Sequence, residues 1–269
     1  MKIPTHKIRS IAQELGIRTP DVQLLLAQER FLARLMSHPQ GQHFIWKGGS
    51  LVLRAYRQLS PPRFTVDLDF LVRGITIENA APYIKLAAET SLGDDFAFFD
   101  VTSSPMERDT LYGGDRYEIS WTMTGKSGSQ TLKIDICAGD FVEAVPRTLN
   151  DTTFFCDEEF SIQVYPPEYI FAEKLETLVK FGTGSTRTKD LIDLWSLRDN
   201  ISSILNLRQH IQKCFERRMT PNSLAQITNV LTNTEFIQFH ENQQKRRYKG
   251  LNIPTMAKIA QDVIEYVTA

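Results

Sequence analysis

An α+β fold is predicted for this 269-residue chain by the way two hydrophobic periodicities divide its length. A short apolar run at 44–46, the alternation around 66–70 and strand-like stretches near 96–103, 115–124 and 130–138 mark the strands. Helical spacing governs the first 37 residues and everything after Pro166-Pro167. These two prolines set the expected boundary between a mixed-sheet domain with N-terminal helices, 1–165, and a helical C-terminal domain, 166–269.

In order, Ile8, Ile11, Ala12 and Leu15 recur at helical spacing, Gly16 can stop that helix, and Thr19-Pro20-Asp21 can start the next. Val22, Leu25, Leu26, Phe31, Leu32 and Leu35 carry the second helix to about residue 37, where His38-Pro39-Gln40-Gly41 breaks it. Phe44-Ile45-Trp46 reads as a short buried strand leading into a loop, Lys47-Gly48-Gly49-Ser50, and Leu51 to Tyr56 restarts as a helix. Pro61-Pro62 interrupts before a strand in which Asp67 and Asp69 share one face while Val66, Leu68 and Phe70 pack behind. A helix at about 77–91 and three strands follow, the last two joined by a hairpin loop at Gly125–Ser129. In the third of these strands Asp135 lies opposite Leu132, Ile134 and Ile136, on the side of Thr131 and Lys133. Beyond the boundary, helices are expected from Glu168 to Phe181, from Lys189 onward, and at about 200–218, 221–230 and 254–267.

With 42% hydrophobic residues the chain has the composition of an ordinary globular protein, which excludes intrinsic disorder. No apolar run is long enough to span a membrane, and the N-terminus lacks the pattern of a signal peptide, so a cytoplasmic location is expected. Cys137, Cys156 and Cys214 are odd in number and widely spaced, which suits buried reduced thiols better than a disulfide or zinc framework. The net charge is −1, yet residues 1–66 carry ten basic and three acidic side chains while 89–160 carry five and fifteen. A further basic run, Lys245-Arg246-Arg247-Tyr248-Lys249, leaves room for a polyanionic partner despite the neutral total.

The candidate chemistry starts from the two carboxylates of Asp67 and Asp69. Carboxylates so close repel, and hard oxygen donors of this kind suit Mg²⁺, or Mn²⁺, carrying nucleotide phosphates. Asp135 supplies a third strand carboxylate, completing the donor set that two-metal phosphoryl or nucleotidyl transfer requires. Lys47, Gly48, Gly49 and Ser50 at a helix start offer backbone amides and a hydroxyl to phosphate. Lys174 is a candidate point-charge clamp on a triphosphate, against the ordinary reading of an exposed helical lysine. Asp190 and Asp193 share a helix face from which they reach a nucleotide or organise Lys174 and Arg187.

Trp46-Lys47-Gly48-Gly49-Ser50, Arg63 to Phe70, Lys174-Leu175 and Lys189-Asp190-Leu191-Ile192-Asp193-Leu194 together resemble the ordered motifs of the AbiEii/AbiGii/MenT-like nucleotidyltransferase toxins, over about residues 44–195. The resemblance implies a polymerase-β-like nucleotidyltransferase core with a mixed β-sheet and a helical region closing over the nucleotide cleft. It maps the metal-binding pair onto Asp67 and Asp69, the phosphate loop onto Gly49 and Ser50, a nucleotide-binding lysine onto Lys174, and a late aspartate onto Asp190 or Asp193. Arg63 matches the basic position before the carboxylates, and Lys189 stands where arginine is common. The implied activity is NTP-dependent, pyrophosphate-releasing transfer of a nucleotide to the 3′ end of tRNA, by the toxin of a toxin–antitoxin or phage-defence pair with a cognate antitoxin. Nucleotidylation of a protein side chain, a non-catalytic nucleotide-binding module and a kinase are the competing readings.

Overall fold

The computed structural model describes residues 4–56, 64–106, 113–138, 147–152, 159–221 and 224–268. The chain divides into two compact units: Met1–Leu51 with Phe64–Tyr165, and Val52–Arg63 with Pro166–Ala269.

In the first unit α1 (Thr5–Leu15) ends at Gly16, whose φ of 65° lets its N–H turn back to the carbonyls of Ala12 and Gln13. Asp21 caps α2 (Thr19–Met36) by accepting from the Arg18 amide at 3.3 Å. A 3-10 turn at Pro39–His43, made by the residues expected to break the helix, leads into β1 (Phe44–Lys47). Helix α3 (Gly48–Ala55) follows β1 directly, so the glycine segment expected to be a loop is the first turn of a helix. The remaining elements are β2 (Asp67–Val72), α4 (Ala81–Glu89), β3 (Phe96–Pro105), β4 (Gly114–Met123), β5 (Gln130–Cys137), β6 (Arg147–Thr152) and β7 (Glu159–Val164).

These strands form one seven-stranded sheet in the order β3-β4-β5-β2-β1-β7-β6. The pairs β2–β5 and β1–β7 are parallel and the rest antiparallel, so the sheet is mixed, as expected. Alternation along the central strands buries Leu68, Phe70, Ile119, Leu132, Ile134 and Ile136 completely, each contributing roughly 1.5–3 kcal/mol. Helix α2 packs on β5 and β7, and α4 on β3. A buried ion triad ties α2 to the approach to β3. Asp94 accepts from Arg30 Nε at 2.6 Å and from Arg34 Nη2 at 2.5 Å, while Arg34 also donates to the carbonyls of Thr90 and Phe96. Burial pushes the Asp94 carboxyl up, but the two guanidiniums and the Phe96 amide outweigh it and hold it below the usual range.

Besides the glycine segment, three points of the sequence reading need correction. Val66 is 48% exposed rather than packed behind the carboxylates, because it precedes the strand; its carbonyl accepts from Gln28. Strands β6 and β7 were not foreseen. Ile162 and Val164 of β7 are buried in alternation, whereas β6 has Leu149 as its one apolar residue and carries little strand signal. Cys137 is half-buried rather than buried, as is Cys214 in the second unit, whereas Cys156 and Pro61-Pro62 lie outside the described residues.

The second unit contains α5 (Pro167–Phe181), α6 (Thr188–Leu197), α7 (Ile204–Arg217), α8 (Leu224–Leu231), α9 (Thr234–Arg247) and α10 (Met256–Thr268). Helix α5 packs against α6 and α7, and α10 against α6, α8 and α9, around Phe171, Leu175, Leu194, Phe215 and Val263. Helix α9 escaped sequence reading because it is polar nearly all round, burying only Phe236 and His240, and its end carries Lys245, Arg246 and Arg247.

Candidate active site

Alternation in β2 decides which residues reach the candidate site. Leu68 and Phe70 point into the core with no exposure, so Asp67 and Asp69 between them project together from the opposite face. Neighbouring strands continue that face in register. Lys47 of β1 stands opposite Asp69, Asp69 opposite Asp135 of β5, and Asp135 opposite Arg116 of β4. One row across four strands thus reads lysine, aspartate, aspartate, arginine. The adjacent row contains Asp67, Lys133 and Glu118, with Lys133 Nζ 3.4 Å from the Glu118 carboxylate.

The glycine segment packs against this face. Gly48 has φ of +76°, and a Cβ there would lie 2.0 Å from Asp69 Oδ2. Only glycine therefore allows β1 to turn straight into α3 with the Asp69 carboxylate against the turn. The first-turn amides of such a helix have no partner within it and suit an anion. Ser50 departs from its expected use: it is buried, and its hydroxyl accepts from Trp46 Nε1 at 2.9 Å. The Lys47 ammonium lies over the Tyr165 ring, 4.9 Å from its centre.

Asp135 is the third carboxylate by position, but both its oxygens are engaged. Arg116 donates from Nε to Oδ1 at 2.7 Å and from Nη2 to Oδ2 at 2.6 Å, a bidentate pair. Hydrogen bonding to Asp135 raises the guanidinium's already high pKa; partial burial opposes the shift, and the charges of Asp135, Asp67 and Asp69 add to it. Among the described residues no three His, Cys, Asp or Glu side chains are gathered to hold an ion. Asp67 and Asp69 are hard oxygen donors of the right kind for a divalent cation; Asp135 suits one by chemistry and level, with Arg116 in possession of its oxygens.

In the second unit Lys174 of α5 is 13% exposed at its side chain and donates to Asp190 at 2.5 Å and Asp193 at 2.9 Å, both on α6. Arg187 also binds Asp190. Burial alone would raise the Asp190 carboxyl, but the charges of Lys174 and Arg187 and their hydrogen bonds hold it well below the usual carboxylate range. Of the two uses expected for these aspartates, organising Lys174 and Arg187 is the one their contacts display. Lys189 is exposed in the first turn of α6, and Arg63 lies outside the described residues.

Residues 30–259 match the family described as the nucleotidyl transferase AbiEii toxin of type IV toxin–antitoxin systems. The chain belongs to the AbiEii family. It is accordingly a nucleotidyltransferase, of a family of toxins that act within toxin–antitoxin pairs. No match is found among curated proteins. Among solved structures, JHP933 from Helicobacter pylori is similar at 17% identity and a TM-score of 0.48, over 91% of this chain and 93% of that one. A candidate nucleotidyltransferase from H. pylori is similar at 14% identity and a TM-score of 0.41, over 90% and 96% of the two chains.

Within this AbiEii chain, the face of the sheet brings together Lys47, Gly48, Gly49, Asp67, Asp69 and Asp135, while Lys174, Asp190 and Asp193 form a separate cluster. Sequence reading missed Arg116. Its signal was the hairpin loop at Gly125–Ser129, from which counting back along both strands sets Arg116 opposite Asp135.

Proposed function

We propose that this AbiEii protein is a metal-dependent cytoplasmic toxin that moves a nucleotide from an NTP to the 3′-terminal hydroxyl of tRNA, in a toxin–antitoxin or phage-defence setting. The observation that carries the reading is the contact of Asp69 with Gly48, which sets a metal-competent carboxylate against the start of a phosphate-binding helix. Asp67 and Asp69, with Asp135, are the residues to hold Mg²⁺ or Mn²⁺, which when bound lowers the charge on the phosphates. The first-turn amides of α3 and the Lys47 ammonium orient the triphosphate; by family resemblance Lys174 is a nucleotide-binding lysine and Asp190 or Asp193 the late aspartate.

The acceptor hydroxyl oxygen forms a bond to the α-phosphorus while the bond from that phosphorus to the α,β-bridging oxygen breaks. Pyrophosphate leaves with the electron pair, and the hydroxyl proton passes to an Asp135 oxygen. The exposed basic end of α9 gives tRNA phosphates a counter-charge, in keeping with an RNA acceptor. None of the described helices is long and apolar enough to cross a membrane.

The test is incubation with each of four labelled NTPs, purified tRNA and Mg²⁺. Label is expected on tRNA, with pyrophosphate released, and loss of both in Asp69→Asn. Label on protein alone would move the acceptor to a side chain, release of a nucleoside diphosphate would indicate a kinase, and full activity of Asp69→Asn would remove the metal assignment.

A further inference from the structure

We propose that Arg116 is a built-in stand-in for the divalent cation: its guanidinium grips Asp135 in the resting site, and metal binding there requires it to withdraw. The inference rests on the metal-dependent reading above and names a positioning residue that governs when the third carboxylate becomes available.

Three observations carry it. Arg116 and Asp135 are directly opposed on β4 and β5, and the fork of the guanidinium takes both carboxylate oxygens, leaving neither uncommitted for an ion. The neighbouring cation on the same face is otherwise engaged, since Lys133 pairs with Glu118. With its side chain 36% exposed against 14% for Asp135, the arginine is the partner with room to leave.

An arginine so placed solves a physical problem of the site. Asp69 and Asp135, directly opposed on one sheet face, repel one another when no ion is bound, and a guanidinium at the end of their row neutralises part of that charge. It also raises the threshold for binding free metal, so that a metal arriving with a triphosphate has the advantage over metal alone. Once Arg116 lets go, Asp135 has an oxygen free to accept the acceptor's proton.

The test uses the full chain without nucleotide and titrates Mn²⁺, reading the free ion by electron paramagnetic resonance. Wild type is compared with Asp69→Asn, Arg116→Gln, Arg116→Lys, Asp135→Asn and the Arg116→Gln/Asp135→Asn double variant, with thermal melts to establish that each is folded. Arg116→Gln is expected to bind Mn²⁺ roughly tenfold more tightly than wild type, the scale of one strong charge-assisted pair. Arg116→Lys, which keeps the charge but not the fork, is expected between the two. The gain is expected to vanish in the Asp135→Asn background. An unchanged affinity in Arg116→Gln overturns the proposal, and so does a gain that persists undiminished without Asp135, since that is a general field effect. Repeating the titration with a non-hydrolysable NTP analogue separates the two readings. Mn²⁺ binding that depends on Asp69 but is indifferent to Arg116 removes only the stand-in, whereas no Mn²⁺ binding by any variant under either condition removes both.

Discussion

Gly48 and Asp69 touch so closely that a methyl group at Gly48 would fall 2.0 Å from Asp69 Oδ2, 2.5 Å from Cγ and 2.8 Å from Cβ. The whole aspartate side chain, and not merely its tip, would have to rotate. Gly48→Ala is therefore expected to cost about 1–2 kcal/mol for the left-handed backbone and to lower nucleotide incorporation far more than its stability loss explains. Denaturant titration and incorporation assays on the same preparation check this; wild-type activity in a folded Gly48→Ala would sever the link between glycine turn and carboxylate.

Ser50 separates a structural from a phosphate-binding hydroxyl. Because it accepts from the buried Trp46 indole, Ser50→Ala is expected to destabilise the protein by about 1–3 kcal/mol and to shift Trp46 fluorescence. A rise in the KM for NTP with stability unchanged is the contrary result, and assigns the hydroxyl to the substrate.

Removing Lys174 leaves Asp190 and Asp193 buried without their shared cation. Lys174→Met is expected to cost about 3–5 kcal/mol, the range for breaking a buried pair from one side. Restoring neutrality in Lys174→Met/Asp193→Asn is expected to recover part of that loss. A double-mutant cycle on unfolding free energies measures the coupling, and strict additivity counts against the shared-cation geometry.

Acid lowers stability through the same cluster. The Asp190 carboxyl lies below its unfolded value, so its contribution is fully present above about pH 4 and declines as pH falls further toward the folded value. Denaturation midpoints followed from pH 5 to pH 2.5 are expected to fall less steeply in Asp190→Asn than in wild type. Equal slopes show that other groups carry the acid response.

A buried histidine sets a second, higher window. His240 has no exposure, shares a hydrogen bond of 2.6 Å with the Thr188 hydroxyl, and is pushed by burial down to about 4. The unfolded chain takes up that proton near pH 6.5, so stability is expected to drop as pH falls from there toward 4. His240→Gln is expected to flatten this part of the profile. Chemical denaturation at pH 7, 5.5 and 4.5 distinguishes the two curves.

Much of this architecture was written in local pattern. Gly16 after Leu15 ended α1, and the alternation around Leu68 and Phe70 was enough to put Asp67 and Asp69 on one face. What escaped depended on side-chain contacts and pairings that apolar periodicity does not show. Ser50 looked available until Trp46 of β1, four residues earlier, took its hydroxyl. Strand β6 carries almost no apolar signal and is defined by pairing with β7, while α9 owes its helical form to packing at Phe236 and His240 rather than to an apolar stripe. The pairing of Arg30 and Arg34 with Asp94 spans some sixty positions, beyond the reach of any local pattern.

The pairing of β1 with β7 also dictates when the molecule can be made whole. Trp46 lies beside Val164, so the strand that launches the glycine turn keeps an open edge through most of synthesis and is flanked on both sides only after the chain has been extended past residue 164. Closure over such a separation is slow compared with hairpin formation. A ribosome-bound fragment ending before β7 thus leaves β1, and with it the start of the glycine turn, paired on the β2 side alone.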